Sequence, residues 1–227
     1  FNVLSFDFST FGLSDLVSPP AIFKKISWMK YWPDERKQRT VNFKDEMYSE
    51  MKSYPSVESF LLMSPAGCYT DAHIDFGGSS FYLHVLKGRK IFFFVPPTEE
   101  NLVKYEEFVY TKRDSKFFGE YVEDCARVEV LQGQTMIVPA GYIHAVYTPE
   151  DSLCFGGNIL HTRAAKMQLR VQELEKKMFG GEATSRFVFP FLDDVILHYF
   201  ASVLKTVTGR EYIRPLSLHQ TGWEYVG

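Results

Sequence analysis

"QTMIVPAGYIHAVYTPEDSLCFGG", residues 134–157, holds three short extended runs separated by a Pro-x-Gly turn and the polar TPED. Two of them, QTMIVP and SLCFGG, read as strands, and the run between them is strand-like and apolar except for His144. The same character extends upstream. VESFLLM at 57–63, FYLHVL at 81–86, KIFFFV at 90–95 and ARVEVL at 126–131 are short and rich in β-branched and aromatic residues. Gly, Pro or charged turns bound most of them. Several short strands at this spacing predict a sandwich or barrel rather than alternating βαβ units.

Helices are expected around and within those strands. Residues 98–121 read as a mostly helical insertion built on EENLVKYEEFVY, with Phe117, Phe118 and Gly119 at its end. After His161 the period changes. Met167, Val171, Leu174 and Met178 form an amphipathic stripe that Gly180 and Gly181 should stop. A second stripe runs from Leu192 through Val195, Ile196, Tyr199, Phe200 and Val203 to Leu204, closed by Gly209. Near the start, residues 1–17 alternate loosely and suit a strand and a short turn. SPP at 18–20 breaks the chain before AIFKKISWMKYW, and the polar residues 34–56 read as an exposed loop or short helix. The expected division is a segment 1–56 packing on the core, a core at 57–162 and a helical extension at 163–227.

Composition narrows the function. Apolar residues make up 45% of 227, with 21 Phe and 13 Tyr, so a substantial core is available. A net charge of -3 argues against a domain that grips DNA phosphates, and no direct DNA contact is expected. Cys68, Cys125 and Cys154 are too scattered for a disulfide framework or a zinc knuckle. No apolar run approaches ~18 residues, so no membrane span is expected. The opening FNVLSFDFST has neither an initiator Met nor the pattern of a signal peptide, and a piece of a longer protein is expected.

Four residues carry the candidate chemistry. In YTDAHIDFGG, residues 69–78, His73 and Asp75 lie two apart and share a face if the segment is extended. An H-x-acid arises by chance about as often as not in a chain with 28 Asp and Glu and six His. A loop Asp bonding backbone N–H groups beside a surface His fits the pair equally well. His144 alone could be a core histidine satisfied by a carbonyl, and Lys90 alone a solvated strand start. Taken together, two histidines and a carboxylate can form a facial triad with three open positions, as in non-haem Fe(II) oxygenases. A lysine inside the barrel would then hold the distal carboxylate of an organic co-substrate.

The chain resembles the JmjC family of Fe(II)- and 2-oxoglutarate-dependent oxygenases. More specifically it is similar to the histone lysine demethylases of the PHD-finger JmjC subfamily and their F-box relatives. The stretches that carry the resemblance are NVLSFDFS at 2–9, YTDAHIDFGGSS at 69–80, HVLKGRKIFF at 84–93 and QGQTMIVPAGYIHAVYTPEDSLCFGGNILH at 132–161. It implies a mainly β fold, a double-stranded β-helix (jelly-roll or cupin) core with flanking N- and C-terminal helices. His73, Asp75 and His144 would be iron ligands. Lys90 and Thr70 would hold one carboxylate of 2-oxoglutarate, with Asn2 and Asn158 near the co-substrate and iron. The subfamily often has Tyr just before the histidine at position 84. Here Leu83 stands there and Tyr82 one residue earlier, facing the other way on a strand.

The implied activity is removal of methyl groups from mono- or dimethyl-lysine of the histone H3 tail, with O₂ as second co-substrate and formaldehyde released. HVLKG leans towards lysine 9 and lysine 27 over lysine 36. The nucleus is the implied location, and a PHD-finger reader is expected elsewhere in the longer protein. Two rivals are a JmjC protein hydroxylase and a non-catalytic cupin-like peptide-binding module. His84 reads as packing, His161 as a local cap, His198 as the polar side of the last helix and His219 as tail. Gly77, Gly78, Gly156 and Gly157 suit either a close approach by a ligand or a tight bend. The EKK at 175–177 and the EE pairs at 99–100 and 106–107 read as solvated helix faces.

Overall fold

Short strands with an apolar inner face fold here into two facing sheets. The computed structural model describes residues 2–9, 12–33, 54–111, 116–179 and 189–210. Within them the strands are β1 (Val3–Asp7), β2 (Phe60–Ser64), β3 (Tyr69–His73), β4 (Ser80–Lys87), β5 (Arg89–Val95), β6 (Ala126–Leu131), β7 (Thr135–Val138), β8 (Ile143–Tyr147) and β9 (Ser152–Ile159). All pair antiparallel, in the orders β1-β2-β9-β4-β7 and β3-β8-β5-β6. This is the mainly β jelly-roll core that the strand spacing and the family resemblance imply.

Between the sheets lies a cluster drawn from both: Phe81, Leu83 and Val85 of β4, Phe92 and Phe94 of β5, and Val130, Val138 and Cys154. Burying one Phe of this kind is worth roughly 1.5–3 kcal/mol. The five consecutive apolar residues of β5 follow from its having both faces covered. Phe92 and Phe94 point into the sandwich, while Phe93 meets the Phe117 ring at 5.0 Å on the other side. Val95 joins Leu102, Tyr105, Phe118, Ile143 and Leu174 in a second cluster, which fastens helices to the small sheet.

The helices are α1 (Ala21–Ile26), α2 (Glu99–Thr111), α3 (Ala165–Phe179) and α4 (Leu192–Thr208), of which α2 and α3 supply that cluster. α2 falls within the helical insertion expected at 98–121, α4 falls where its apolar stripe predicts, and Gly209 ends α4 at a positive φ of 70°, as a helix-stopping glycine does. The expected loop or short helix at 34–56, the stop at Gly180 and Gly181, and His219 lie wholly or mostly outside the described residues. Contacts divide the chain into two compact units, one from 1–27 and 56–188, the other from 28–55 and 189–227. The first holds both sheets with α1, α2 and α3. In the second, Trp28 stacks on Tyr199 at 4.6 Å. His198, expected on a polar face, is half-buried with its ring 5.4 Å from that of Trp32. Among the described residues no helix is long and apolar enough to cross a membrane.

Candidate metal centre and the cavity around it

Parity along the strands decides which side chains turn inward. Lys90, Phe92 and Phe94 share one face of β5, and the two phenylalanines belong to the cluster between the sheets. Lys90 therefore enters the same interior. In the register of β8 on β5, Phe92 opposes Val146 and Phe94 opposes His144, so His144 and Val146 face inward too. On β3 the count changes, because Thr70 pairs with Val146 while His73 pairs with His144. Three residues span what two span opposite. This bulge lets Thr70 and His73 both line the interior, which a regular strand would forbid.

His73, Asp75 and His144 converge at that point. The Nε2 atoms of His73 and His144 lie 3.6 Å and 3.8 Å from Asp75 Oδ1, and one ligand atom from each residue falls within 4.8 Å of the others. Two donors each about 2.1 Å from one ion stand at most about 4.2 Å apart, so a single cation can bridge either histidine to the carboxylate. Both Nδ1 atoms face backbone carbonyls, that of Asp71 at 2.8 Å and that of Tyr142 at 3.1 Å. With Nδ1–H donating there, each Nε2 is left with its lone pair towards Asp75. Burial, with His73 acting in the same direction, pushes His144 down to about 4. It is neutral at pH 7, the form that binds a metal. Asp75 Oδ2 accepts from Asn158 Nδ2 at 2.7 Å, and that amide also donates to Ser79 Oγ at 3.0 Å. Two imidazoles and a carboxylate on one side of a cavity suit a ferrous ion.

Lys90 is 3% exposed. Its Nζ donates to Ser64 Oγ at 2.7 Å and Thr148 Oγ1 at 2.8 Å. Both acceptors are neutral, and no carboxylate pairs with the ammonium among the described residues. Burial pushes its pKa below the usual lysine range. A buried, unneutralised ammonium with a donor to spare fits a ligand carboxylate, which would offset its desolvation.

Thr70, Lys90, Asn158 and the three convergent residues line one cavity of about 1340 Å³. Asn2 does not. It is exposed just before β1, an edge strand whose register shifts between Val3 and Phe6, and Leu4 and Ser5 line the cavity instead. Leu83 and Tyr82 point to opposite faces as their offset requires. Leu83 packs in the inner cluster, while the Tyr82 hydroxyl donates to the Glu58 carbonyl at 3.3 Å and its ring meets Phe23. Ser80 holds His161 at 3.0 Å, and Thr135 holds His84 at 2.8 Å.

Two of the glycines answer to packing by the protein itself. Gly78 sits at φ 60° in the turn Phe76–Gly78, and a Cβ there would come 2.8 Å from Val171 Cβ on α3. At Gly157 a Cβ would run into the Glu58 carbonyl. The EKK reading needs correction. Lys176 and Lys177 are exposed, but Glu175 is 6% exposed and lines the cavity. Its Oε1 accepts the Gly77 N–H at 2.8 Å, and burial raises its pKa to about 7. The signal was present in the spacing. Residue 175 lies four after Val171, on the helix's buried side, and Gln168 and Val171 on that side are buried as well.

The chain is also similar in sequence to several curated proteins. JmjC domain-containing histone demethylation protein 1 of Caenorhabditis elegans is 46% identical over 231 residues, covering 100% of this chain and 21% of that protein. Lysine-specific demethylase 2B of Mus musculus is 42% identical, covering 94% of the chain and 16% of that protein. The chain belongs to the JmjC family. Lysine-specific demethylase 7A of Homo sapiens matches this JmjC domain at 41% identity, over 91% of the chain and 20% of that protein. The domain thus spans about a fifth of the length of the curated relatives it matches. No protein-family model matches it. A cupin superfamily protein from Desulfitobacterium hafniense aligns with 46% of the domain and 67% of its own chain at 13% identity and TM-score 0.30, too low to carry an argument.

Proposed function

We propose that this JmjC domain is the catalytic part of a nuclear Fe(II)- and 2-oxoglutarate-dependent histone lysine demethylase acting on mono- and dimethyl-lysine of the H3 tail. One observation carries the reading. A buried ammonium without a carboxylate partner shares a cavity with a His-Asp-His cluster whose free nitrogens face one carboxylate oxygen. The relatives' names as histone demethylases support it.

In this reading His73, Asp75 and His144 hold the iron, and Asn158 orients Asp75 through its outer oxygen. Lys90 and Thr70 bind the distal carboxylate of 2-oxoglutarate, so that its other end lies towards the metal. Phe81, Leu83 and Phe92 keep water from the reacting atoms. The bound metal supplies oxidation by O₂, in which 2-oxoglutarate becomes succinate and CO₂ and the N-methyl carbon of the substrate is hydroxylated. The resulting carbinolamine expels formaldehyde and leaves an amine with one methyl fewer. Within the H3 tail we put lysine 9 and lysine 27 ahead of lysine 36, on the HVLKG stretch alone. A PHD-finger reader elsewhere in the longer protein would bring the tail to the domain.

The test is incubation with Fe(II), ascorbate, 2-oxoglutarate and a panel of methylated H3 peptides, followed by mass and formaldehyde. Loss of one methylene mass together with formaldehyde is expected. A stable gain of one oxygen mass would mean a protein hydroxylase. Absence of succinate with every peptide would leave a peptide-binding module.

A further inference from the structure

The cavity has two poles of opposite charge. Thr148 follows directly after β8, beyond Val146 in the direction leading away from His144, and it is Thr148 that, with Ser64, holds Lys90. β3 runs antiparallel to β8, so the chain leaving His73 through Asp75 to Gly77 moves away from Thr148. Gly77 is where Glu175 attaches. The buried ammonium and the buried carboxylate are therefore held by segments that leave the His73–His144 pair in opposite directions.

Glu175 has a single hydrogen-bond partner among the described residues, the Gly77 N–H on Oε1, so Oε2 is unpaired. Among the described residues no cation pairs with it. Lys116 also lines the cavity, but it is exposed and makes no ion pair with Glu175. Leu174 and Met178 lie beside Glu175 along α3 and pack in one cluster with Tyr105 and Phe108, all four lining the cavity, an apolar and aromatic surface that favours a weakly hydrated alkylammonium over a strongly hydrated ion. A carboxylate kept in such a place without a partner is costly unless a ligand cation completes it.

We infer that Glu175 is the specificity-determining acceptor for the positively charged alkylammonium group of the substrate. The identity of that group as a methylated lysine rests on the demethylase reading above. Mono- and dimethyl-ammonium each keep an N–H that can donate to Oε2, while their methyl groups lie against the aromatic wall. Charge, hydrogen bonding and apolar contact at Glu175 would then select the same ligand class, apart from the Lys90 group proposed for the co-substrate.

The experiment is a two-by-two binding cycle. The Co(II)-loaded domain, native or Glu175→Gln, is titrated calorimetrically with a dimethyl-lysine H3 peptide. The second ligand is the same peptide with carbon in place of the ammonium nitrogen. Gln keeps an oxygen for the Gly77 N–H, so the turn stays held while the charge is gone. The native protein should prefer the charged peptide, and Glu175→Gln should shrink that preference by at least about tenfold, with Co(II) affinity unchanged. A native protein indifferent to the charge, or a variant with the native preference, would overturn the assignment. So would a parallel loss of Co(II) and of both peptides, which would make Glu175 a positioning residue for Asp75. Turnover is not read. A domain that shows the coupling but releases no formaldehyde would sink the demethylase reading and leave Glu175 in its role.

Discussion

The two sheets contribute unequally to the cavity. Thr70, His73, His144 and Lys90 all stand on the four-stranded sheet β3-β8-β5-β6. The five-stranded sheet supplies side chains that hold others in place, Ser64 under Lys90 and Asn158 behind Asp75. Apart from Asp75 just after β3 and Glu175 on α3, the groups proposed to meet a ligand are thus gathered on one layer, and the other layer adds supports beside Thr148. The fold achieves this by register and one bulge. The lesson is that the reactive sheet should be intolerant of change in kind, and the supporting sheet sensitive only in degree.

The largest effects should come from the reactive layer. His73→Ala or Asp75→Ala is expected to abolish turnover and lower Co(II) affinity at least about a hundredfold, while far-ultraviolet circular dichroism stays native. Surviving turnover would refute the ligand assignment. Lys90→Met should weaken 2-oxoglutarate binding to the Co(II)-loaded domain by roughly thirtyfold, read by calorimetry. Its thermal midpoint should not fall, since the variant removes an unneutralised buried charge.

A pH experiment sharpens the contrast between the cluster and the helix pole. His144 in the folded protein titrates at about 4 against 6.5 for a free histidine. Stability tied to it is complete above 6.5 and lost as pH falls towards 4. Glu175 is raised from 4.5 to about 7, so its stability is complete below 4.5 and lost as pH rises through 7. Between pH 7 and pH 5 each amounts to about 2 kcal/mol of opposite sign. Acidifying the metal-free protein should therefore stabilise His144→Gln and destabilise Glu175→Gln, with the native protein nearly flat. Urea titrations at the two pH values check it, and equal slopes in both variants would contradict the assignment of opposed groups.

The smallest effect belongs to the supporting layer. Asn158→Ala should cost about tenfold in metal affinity and leave the fold and the Lys90 pole untouched. A loss as large as that of Asp75→Ala would erase the distinction between the sheets.

Much of this was legible in the residues. Strand positions follow from short β-branched and aromatic runs, because a sandwich buries one face or both of nearly every strand. The stripe of Met167, Val171, Leu174 and Met178 gives α3 by its period. The His-Asp-His cluster is a different case. His73 and Asp75 alone were indistinguishable from a loop pair, since the third member lies on β8 and only tertiary pairing joins them. The family motif supplied that join. What escaped was Glu175, because a charged residue in an EKK run resembles a solvated face unless its four-residue offset from Val171 is weighed. Asn2 lies off the cavity lining in the structure, since motif position does not encode the irregular register at the edge strand β1.

The pairing of His73 with His144 also bears on how the chain folds. The strands β4 to β7 and helix α2 intervene between β3 and β8, so these two can meet only after the intervening chain has wrapped around the sandwich. Closing so long a loop is an entropic step that comes before any contact rewards it. On the proposed assignment, a metal ion would therefore find His73, Asp75 and His144 together only in a nearly finished molecule. It should act as a lock on the completed fold, slowing unfolding far more than it hastens folding.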